Sequence, residues 1–454
     1  MSKTKNTYKD TLNLPKTSFP MKANLSQNEP MRLKKWEKES MYDSLQAKTK
    51  ANPPFVFHDG PPYANGSIHI GHLLNKVLKD LVVRSQLLLG NHCEYIPGWD
   101  CHGLPIEHKV LSELSPEKKE KLASLTPDQE RLAIRNECKK YAEKFIKLQT
   151  EQMKRLLTVA DYKNPYLTFQ PEYESKVLNV FAQMVDEGIV FRHLKPVHWS
   201  IANQTALAEA ELEYMDKTSD SIAVKFKIDD HPFSHDGPVF AVIWTTTPWT
   251  LPANLAIAFG ANINYSLVSI NGDQCIMATD RVEFIQQHVS NTTVIESIQT
   301  DQLRGLIASH PFIDRNAPLL EAGFVTTEDG TGLVHIAPGH GTDDYILGQA
   351  NGLETYCPVQ ADGTYDDTVP DWIIGQSIWD ANAVIVDHLT SNNTLVFHDT
   401  FTHSYPHDWR SKTPVIFRST DQWFIGVDHA LKSTNQTLRE LALEHINSSV
   451  KFYP

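Results

Sequence analysis

Apolar positions in the first third of the chain recur in two rhythms. Phe55-Val56-Phe57 is a short continuous run of the kind that forms a buried strand. It leads through His58-Asp59-Gly60-Pro61-Pro62 into a stretch where Leu73, Leu74, Val77, Leu78, Leu81 and Val82 return at helical spacing, with Gly90 placed to stop the helix. Thr126-Pro127-Asp128-Gln129 has the layout of a capping box with proline at the first helical position, opening an amphipathic helix that reaches about Leu157. A further helix is expected from Glu172 to Glu187, ended by Gly188. Strand, loop and long helix in this order predict an α/β layer structure.

Beyond about Pro196 the texture changes. Ile222, Val224, Phe226 and Ile228 alternate with Ala223, Lys225 and Lys227, and Val239–Trp244 and Tyr265–Ile270 read as further strands. From about His403 an aromatic and basic segment, HSYPHDWRSKTPVIFR, is followed by DQWFI. The expected organisation is an N-terminal helical extension over 1–50, the first part of an α/β domain over 51–196, a β-rich insertion over 197–402, and a return to the first domain over 403–454. The chain shows no internal repeat and no low-complexity tract.

Composition narrows the function classes. With 454 residues, 41% of them hydrophobic and 21% charged, the chain can bury two or three ordinary cores. No stretch approaches the roughly 18 apolar residues of a membrane span, and Met1–Thr11 lacks the apolar centre of a signal peptide. A cytoplasmic protein with no membrane partner is expected. Cys93, Cys101, Cys138, Cys275 and Cys357 are far apart and odd in number, forming neither a disulfide ladder nor a paired metal knuckle. A net charge of −13 argues against nonspecific coating of nucleic acid, while a local basic surface can still hold RNA.

The segment Pro61–His72, PPYANGSIHIGH, carries the first candidate chemistry. His69 and His72 sit three residues apart around Gly71 at the expected start of a helix, where free amides and the helix dipole favour phosphate and each imidazole can donate a hydrogen bond as negative charge builds. Gly71 lets a ligand approach the backbone. For an isolated HxGH, a structural cap or a metal-ligand pair is an equal alternative. A second landmark is Gly98-Trp99-Asp100-Cys101-His102-Gly103-Leu104-Pro105-Ile106-Glu107, whose Asp100 can bind an ammonium group or simply cap a Gly/Pro turn.

Together these residues resemble the class I aminoacyl-tRNA synthetases, whose HIGH signature follows the first strand of a Rossmann-like domain. PYANG with GWDCHGLPIE is similar to the isoleucyl pattern at both places; valyl members typically carry PNVTG, HMGH and GTDHAG, and leucyl members PYPSG and GWDAFGLPAE. The resemblance implies an ATP site over Pro62, Tyr63, Ala64, Asn65, Gly66, Ser67, Ile68, His69, Ile70, Gly71 and His72. His69 and His72 would stabilise the transition state in which the amino acid carboxylate attacks the α-phosphate. It implies Gly60, Pro61 and Asp100 for L-isoleucine, ATP with Mg2+ as substrate, and tRNA(Ile) as partner of a monomeric enzyme.

Two more segments resemble the editing insertion of the isoleucyl, valyl and leucyl members. They are Trp244–Asn254, WTTTPWTLPAN, and Gly330–Tyr345, GTGLVHIAPGHGTDDY. Alone, the first reads as strand-edge and turn chemistry. The second has closely spaced His and Asp, yet lacks the third ligand and spacing of a zinc site. By resemblance, Asp344 anchors the ammonium of a misacylated residue, His335 limits side-chain size so that valine fits and isoleucine does not, and Thr245, Thr246, Thr247 and Asn254 shape the pocket and its water. A pocket built for isoleucine excludes valine only weakly, so a second, hydrolytic sieve is needed; isoleucyl enzymes are the established example of this arrangement, and the reasoning comes with the resemblance.

Tyr405-Pro406-His407-Asp408-Trp409-Arg410 resembles the family's return into the catalytic domain; Arg410 and Lys412 offer charge to tRNA or nucleotide, but the default reading is a solvated basic turn, with no catalytic role assigned. The expected fold class is α/β, a Rossmann-like catalytic domain interrupted by a β-rich editing insertion. Family members run to about twice this length, through a KMSKS loop, an anticodon-binding domain and often a C-terminal zinc site. The ending SSVKFYP therefore reads as an interruption, with complete aminoacylation not expected of this polypeptide and no metal site expected within it. The alternatives are a standalone editing hydrolase and a non-catalytic tRNA-binding paralogue.

Overall fold

Three short parallel pairings, each closed by helical chain, organise the first part of the molecule in a computed structural model that describes residues 11–13, 18, 20–233 and 237–452. Most of the polar leader at Met1–Thr11 and the closing Tyr453-Pro454 lie outside the described residues. The chain divides into two compact units, Met1–Gln183 and Met184–Pro454.

The first unit contains α1 (Leu25–Lys38), α2 (Met41–Thr49), α3 (Ile70–Leu88), β1 (Gly98–Trp99), α4 (Leu104–Glu113), α5 (Pro116–Ala123), α6 (Pro127–Arg155), β2 (Tyr166–Leu167) and α7 (Pro171–Asp186), the last crossing its boundary. β1 pairs with β2 in parallel, Pro54 bridges His92, and Tyr63 bridges Asp100. Local signals set the helix ends as expected. His69 caps α3, and Gly90 follows it at φ 85°. Thr126 and Gln129 form the capping box of α6 with Pro127 in its first turn, and Gly188 follows α7 at φ 79°.

The Phe55–Phe57 strand does not form. Only Pro54 bridges, Phe55 N–H donates to the His92 carbonyl at 2.8 Å, and Val56 is 91% exposed. Phe55 and Phe57 pack against Val83, Cys93 and Tyr95, so one face of an extended segment is covered without a ladder on either side. α3 is also unusual in what it buries. Ile70, Leu74, Leu78 and Leu81 are exposed, whereas Lys76, Asp80 and Val83 are buried.

The second unit contains β3 (Val190–Ser200), β4 (Thr205–Ala206), β5 (Leu212–Ile228), β6 (Val239–Thr245), β7 (Ala256–Phe259), β8 (Tyr265–Ile270), β9 (Asp273–Ala278), α8 (Val282–His288), β10 (Thr292–Ile298), β11 (Ile307–Ser309), β12 (Asn316–Glu321), β13 (Leu333–Ile336), α9 (Thr342–Ala350), α10 (Ile378–Ser391), β14 (Leu395–Asp408), β15 (Val415–Ile425) and α11 (Leu438–Ser448). The large sheet runs β10-β8-β9-β6-β5-β11-β12-β7-β13, with β14 also laid along β5. A core including Ile222, Val224, Phe226, Ile243, Leu251, Ile257, Ile378 and Ile385 fills one side of it.

This unit contains two long antiparallel ladders. β14 pairs with β5 from Leu395↔Val224 to Asp408↔Leu212, and β15 pairs with β3 from Val415↔Ser200 to Ile425↔Val190. The HSYPHD segment therefore continues a strand that began at Leu395, crossing the boundary drawn at 402/403. Asp408 is fully buried and accepts from Ser200 Oγ and Asn203 Nδ2, each at 2.6 Å, and from Arg410 N–H at 2.8 Å. Burial pushes its carboxyl up, but these donors outweigh it and hold it below the usual range.

Candidate functional site

The two histidines of the HIGH segment are built into the start of α3. His69 occupies the cap position, its Nδ1 accepting from Gly71 N–H at 3.1 Å, while His72 Nδ1 accepts from His69 N–H at 3.2 Å. The ring centroids are 4.0 Å apart. Because each Nδ1 accepts, each neutral ring carries its proton on Nε2, leaving two N–H donors for a ligand. Burial first, then His69 and Lys76, holds His72 below the usual imidazole range, which keeps that ring neutral. The glycine has a local reason as well: a Cβ on Gly71 would stand 2.9 Å from Cε1 of His69 and force the capping ring away.

The loop before the helix is held from two directions. Asp100 N–H donates to the Pro62 carbonyl at 2.9 Å and Ala64 N–H to the Asp100 carbonyl at 2.8 Å, so the PYANG and GWD segments lie side by side. Gln149, fully buried on α6, donates from Nε2 to the carbonyls of Tyr63 and Gly66 at 3.0 Å each, and its Oε1 accepts from Trp99 Nε1 at 3.0 Å. One turn on, Gln152 Oε1 accepts from Ile68 N–H at 2.9 Å. Tyr141 donates to Asn65 Oδ1 at 2.8 Å. Gly66 turns at φ 75°, a conformation that costs a side-chain-bearing residue strain.

Beneath the loop lies an ion pair that sequence reasoning missed. Asp59 is 1% exposed and Lys76 2%, with Nζ and Oδ2 2.6 Å apart; Lys79 reaches the other carboxylate oxygen. Burial lowers Lys76 from the usual ammonium range, and Asp59 offsets part of that. The available signal was a lysine among apolar positions of a helix, after a loop that carries the acidic Asp59.

Asp100 is partly buried, and one carboxylate oxygen accepts from His102 N–H at 3.3 Å. A cavity of about 680 Å³ opens beside this motif, lined by Cys101, His102, Gly103, Ile106, Glu107 and Arg135 among others; Gly60, Pro61 and Asp100 do not line it. Gly60 and Ser67 are exposed, and Pro61 is partly buried.

In the second unit the threonine turn and the GTGLVHIAPGHG segment meet. Thr245 ends β6, and its Oγ1 accepts from Thr247 N–H at 3.0 Å; Thr247 Oγ1 lies 3.3 Å from Thr250 Oγ1. Thr250 donates to the Thr247 carbonyl at 2.8 Å and lies 2.8 Å from His335 Nε2. Asn254 Nδ2 donates to the Ala256 carbonyl at 2.9 Å and lies 3.2 Å from His335 Nδ1. With Thr250's proton and Asn254's amide committed in this way, His335 is the neutral Nε2–H tautomer, fixed at both nitrogens. Its burial, and then the neighbouring His340, pull it down to about 4. Thr250 was absent from the expected set, although its i,i+3 spacing from Thr247 was visible in the sequence.

Asp344 lies in the first turn of α9, and its Oδ2 accepts from Ala337 N–H at 2.8 Å, two residues beyond His335. A helix start and a backbone donor both favour its charge, yet burial outweighs them and raises it to about 6. Thr246 is partly buried in the same turn, with no hydrogen bond tying it to the network. Lys412 pairs with Glu213 at 2.5 Å, and the Arg410 guanidinium lies 4.0 Å from the Trp409 ring centre. Among the described residues no three His, Cys, Asp or Glu side chains are grouped to hold a metal ion, and no helix is long and apolar enough to cross a membrane.

The curated relatives include isoleucine–tRNA ligases. That of Thermotoga neapolitana is 47% identical over 451 residues, 98% of this chain and 47% of that protein. The Persephonella marina protein is 44% identical over 448 residues, 98% of this chain and 47% of its own. The chain thus spans about half the length of the curated relatives it matches. A crystal structure of GlLeuRS-CP1 overlaps 40% of this chain and 99% of its own at 14% identity, with a TM-score of 0.33, too slight to bear on fold or function. The family model for tRNA synthetases class I (I, L, M and V) matches residues 31–454, and the chain belongs to that family.

Proposed function

We propose that the chain serves the formation of isoleucyl-tRNA(Ile) and the removal of valine mischarged on that tRNA, as a monomer in the cytoplasm. The observation that carries the reading is the backbone pairing of Pro62 and Ala64 with Asp100, which joins the two segments whose sequences separately follow the isoleucyl pattern. The names of the relatives, at 44% and 47% identity, support the same amino acid.

In this reading the Nε2–H groups of His69 and His72 donate to phosphate oxygens of ATP, bound with Mg2+ as substrate by the segment Pro62–His72, as the isoleucine carboxylate attacks the α-phosphorus, the bond to the β-phosphate breaks and pyrophosphate leaves. No enzyme nucleophile takes part, so the rate gain comes from positioning and charge stabilisation. Asp100 receives the isoleucine ammonium, and Gly60 and Pro61 border its side chain. In the second unit Asp344, ionised above about pH 6, anchors the ammonium of the misacylated residue. His335, held neutral and hydrogen-bonded on both sides, is a rigid wall against the extra methylene of isoleucine. Thr245, Thr246, Thr247 and Asn254 shape the space for water. The division into 51–196 with 403–454 as catalytic portions and 197–402 as the editing insertion belongs to the same proposal.

A second reading, an editing hydrolase without adenylation, is favoured by one observation: the whole Thr245–His335 network lies inside one compact unit. Two assays on the purified chain separate them. Val-tRNA(Ile) should be deacylated at least about tenfold faster than Ile-tRNA(Ile), and a non-hydrolysable isoleucyl-adenylate analogue should bind more tightly than its valyl and leucyl counterparts. Deacylation without selective analogue binding favours the second reading, and neither effect overturns both.

A further inference from the structure

His340 and Cys357 lie in the second unit outside the threonine–histidine network. The Nδ1 of His340 is 2.9 Å from the Phe417 carbonyl oxygen, which can only accept, so Nδ1 carries a proton and, in the neutral ring, Nε2 keeps its lone pair. That Nε2 is buried without a hydrogen-bond partner, and His340 is 8% exposed. Cys357 lies against the same turn: a Cβ on Gly339, the residue before His340, would stand 2.9 Å from the Cys357 Cβ. The approach is enforced by the backbone: Gly339 packs so tightly on Tyr356 and Cys357 that a Cβ there would overlap the Tyr356 carbonyl, and Ser419 N–H donates to the Gly339 carbonyl at 2.9 Å. The thiol donates weakly to the Val359 carbonyl at 3.8 Å.

A thiol beside an imidazole whose far nitrogen is pinned by an acceptor is the arrangement that activates sulfur as a nucleophile. We propose that Cys357 is a peroxide-reactive thiol, with His340 as its base, open to oxidation to a sulfenic acid. The Cys357 proton moves to Nε2 of His340. The sulfur lone pair then attacks one oxygen of hydrogen peroxide, forming an S–O bond as the O–O bond breaks. The departing hydroxide takes the imidazolium proton and leaves as water; sulfur is oxidised by two electrons and the peroxide is reduced.

The electrostatics agree. Burial raises the Cys357 thiol, but the His340 ring and the polar backbone at Val359 and Ser419 more than reverse that. Burial pulls His340 down, while Cys357, the Phe417 carbonyl and Asp344 bring it above the usual range; His335 is the other titratable group facing it. The remaining cysteines are internal controls, since burial raises Cys93, Cys101, Cys138 and Cys275, the last to about 12.

The test uses the whole chain at pH 7. Substoichiometric iodoacetamide, read by peptide mass spectrometry, should alkylate Cys357 about tenfold faster than partly buried Cys138, and hydrogen peroxide followed by dimedone should tag Cys357. His340→Asn should slow both reactions about tenfold, with its fold checked by thermal unfolding. Cys138 reacting as fast as Cys357, or a folded H340N chain reacting at the wild-type rate, overturns the proposal; the wild-type comparison needs no variant.

Discussion

The two candidate sites of this chain achieve order by opposite means. Around His69 the reactive rings are at the surface, held by backbone N–H groups, and rigidity comes from buried polar residues beneath them, Asp59 with Lys76 and Gln149 with Trp99. Around His335 the imidazole itself is buried, next to a large apolar core, and is locked by two side chains. The difference suits the proposed tasks. Donors meant for phosphate must point outward, whereas a wall meant to tell valine from isoleucine must not yield by the width of a methylene.

That comparison can be broken most directly at Asp59. Asp59→Ala leaves Lys76 buried without its counter-ion, and loss of one partner of a buried pair costs about 3–5 kcal/mol. Urea unfolding followed by helical circular dichroism should show the first unit melting markedly earlier; an unchanged midpoint would mean that the polar foundation is not what orders the HIGH loop. A smaller effect is expected on the other side. His335→Ala should raise hydrolysis of Ile-tRNA(Ile) about tenfold while Val-tRNA(Ile) continues to be cleaved, since one methylene of discrimination is worth roughly 1–3 kcal/mol. Unaltered selectivity removes His335 as the wall.

The smallest effect separates the two ionisable groups of the proposed editing pocket. Asp344 must be charged to hold an ammonium, so deacylation should fall to half at about pH 6 and continue down below it, while selectivity stays constant because His335 does not titrate until about pH 4. The sign for stability is the reverse. A carboxyl raised from 3.8 to about 6 on folding binds its proton more tightly in the folded state, so this contribution is present below about pH 4 and is lost as pH rises through about 6. Selectivity that changes together with rate across pH 5–7 argues against two separate groups.

Much of the local architecture was legible in the sequence. The ends of α3, α6 and α7 lie where His69, Gly90, Thr126 and Gly188 predict them, and Tyr265–Ile270 is a strand as read. The failures have a common cause. Phe55–Phe57 has strand composition, but its pairing with the chain at His92 does not extend past Pro54, so only a single bridge forms. The apolar spacing of 73–82 announces a helix without saying which face is covered, and α3 buries Lys76 and Asp80 while Leu74 and Leu78 are exposed. Thr250 carried a local signal, but its importance comes from a histidine 85 positions away.

The sequence by itself determined the family signatures, the helix caps and the alternation of the β-rich unit, because these depend on residues a few positions apart and on backbone preferences they carry with them. Only the tertiary structure decided which nitrogen of His335 bears a proton, that Gln149 joins the signature loop to Trp99, and that Asp344 titrates near 6. Those properties depend on burial and on partners brought from far along the chain, and neither is written in local pattern. HIGH could be recognised in twelve residues; what its glycine leaves room for is decided by the His69 ring folded back over it.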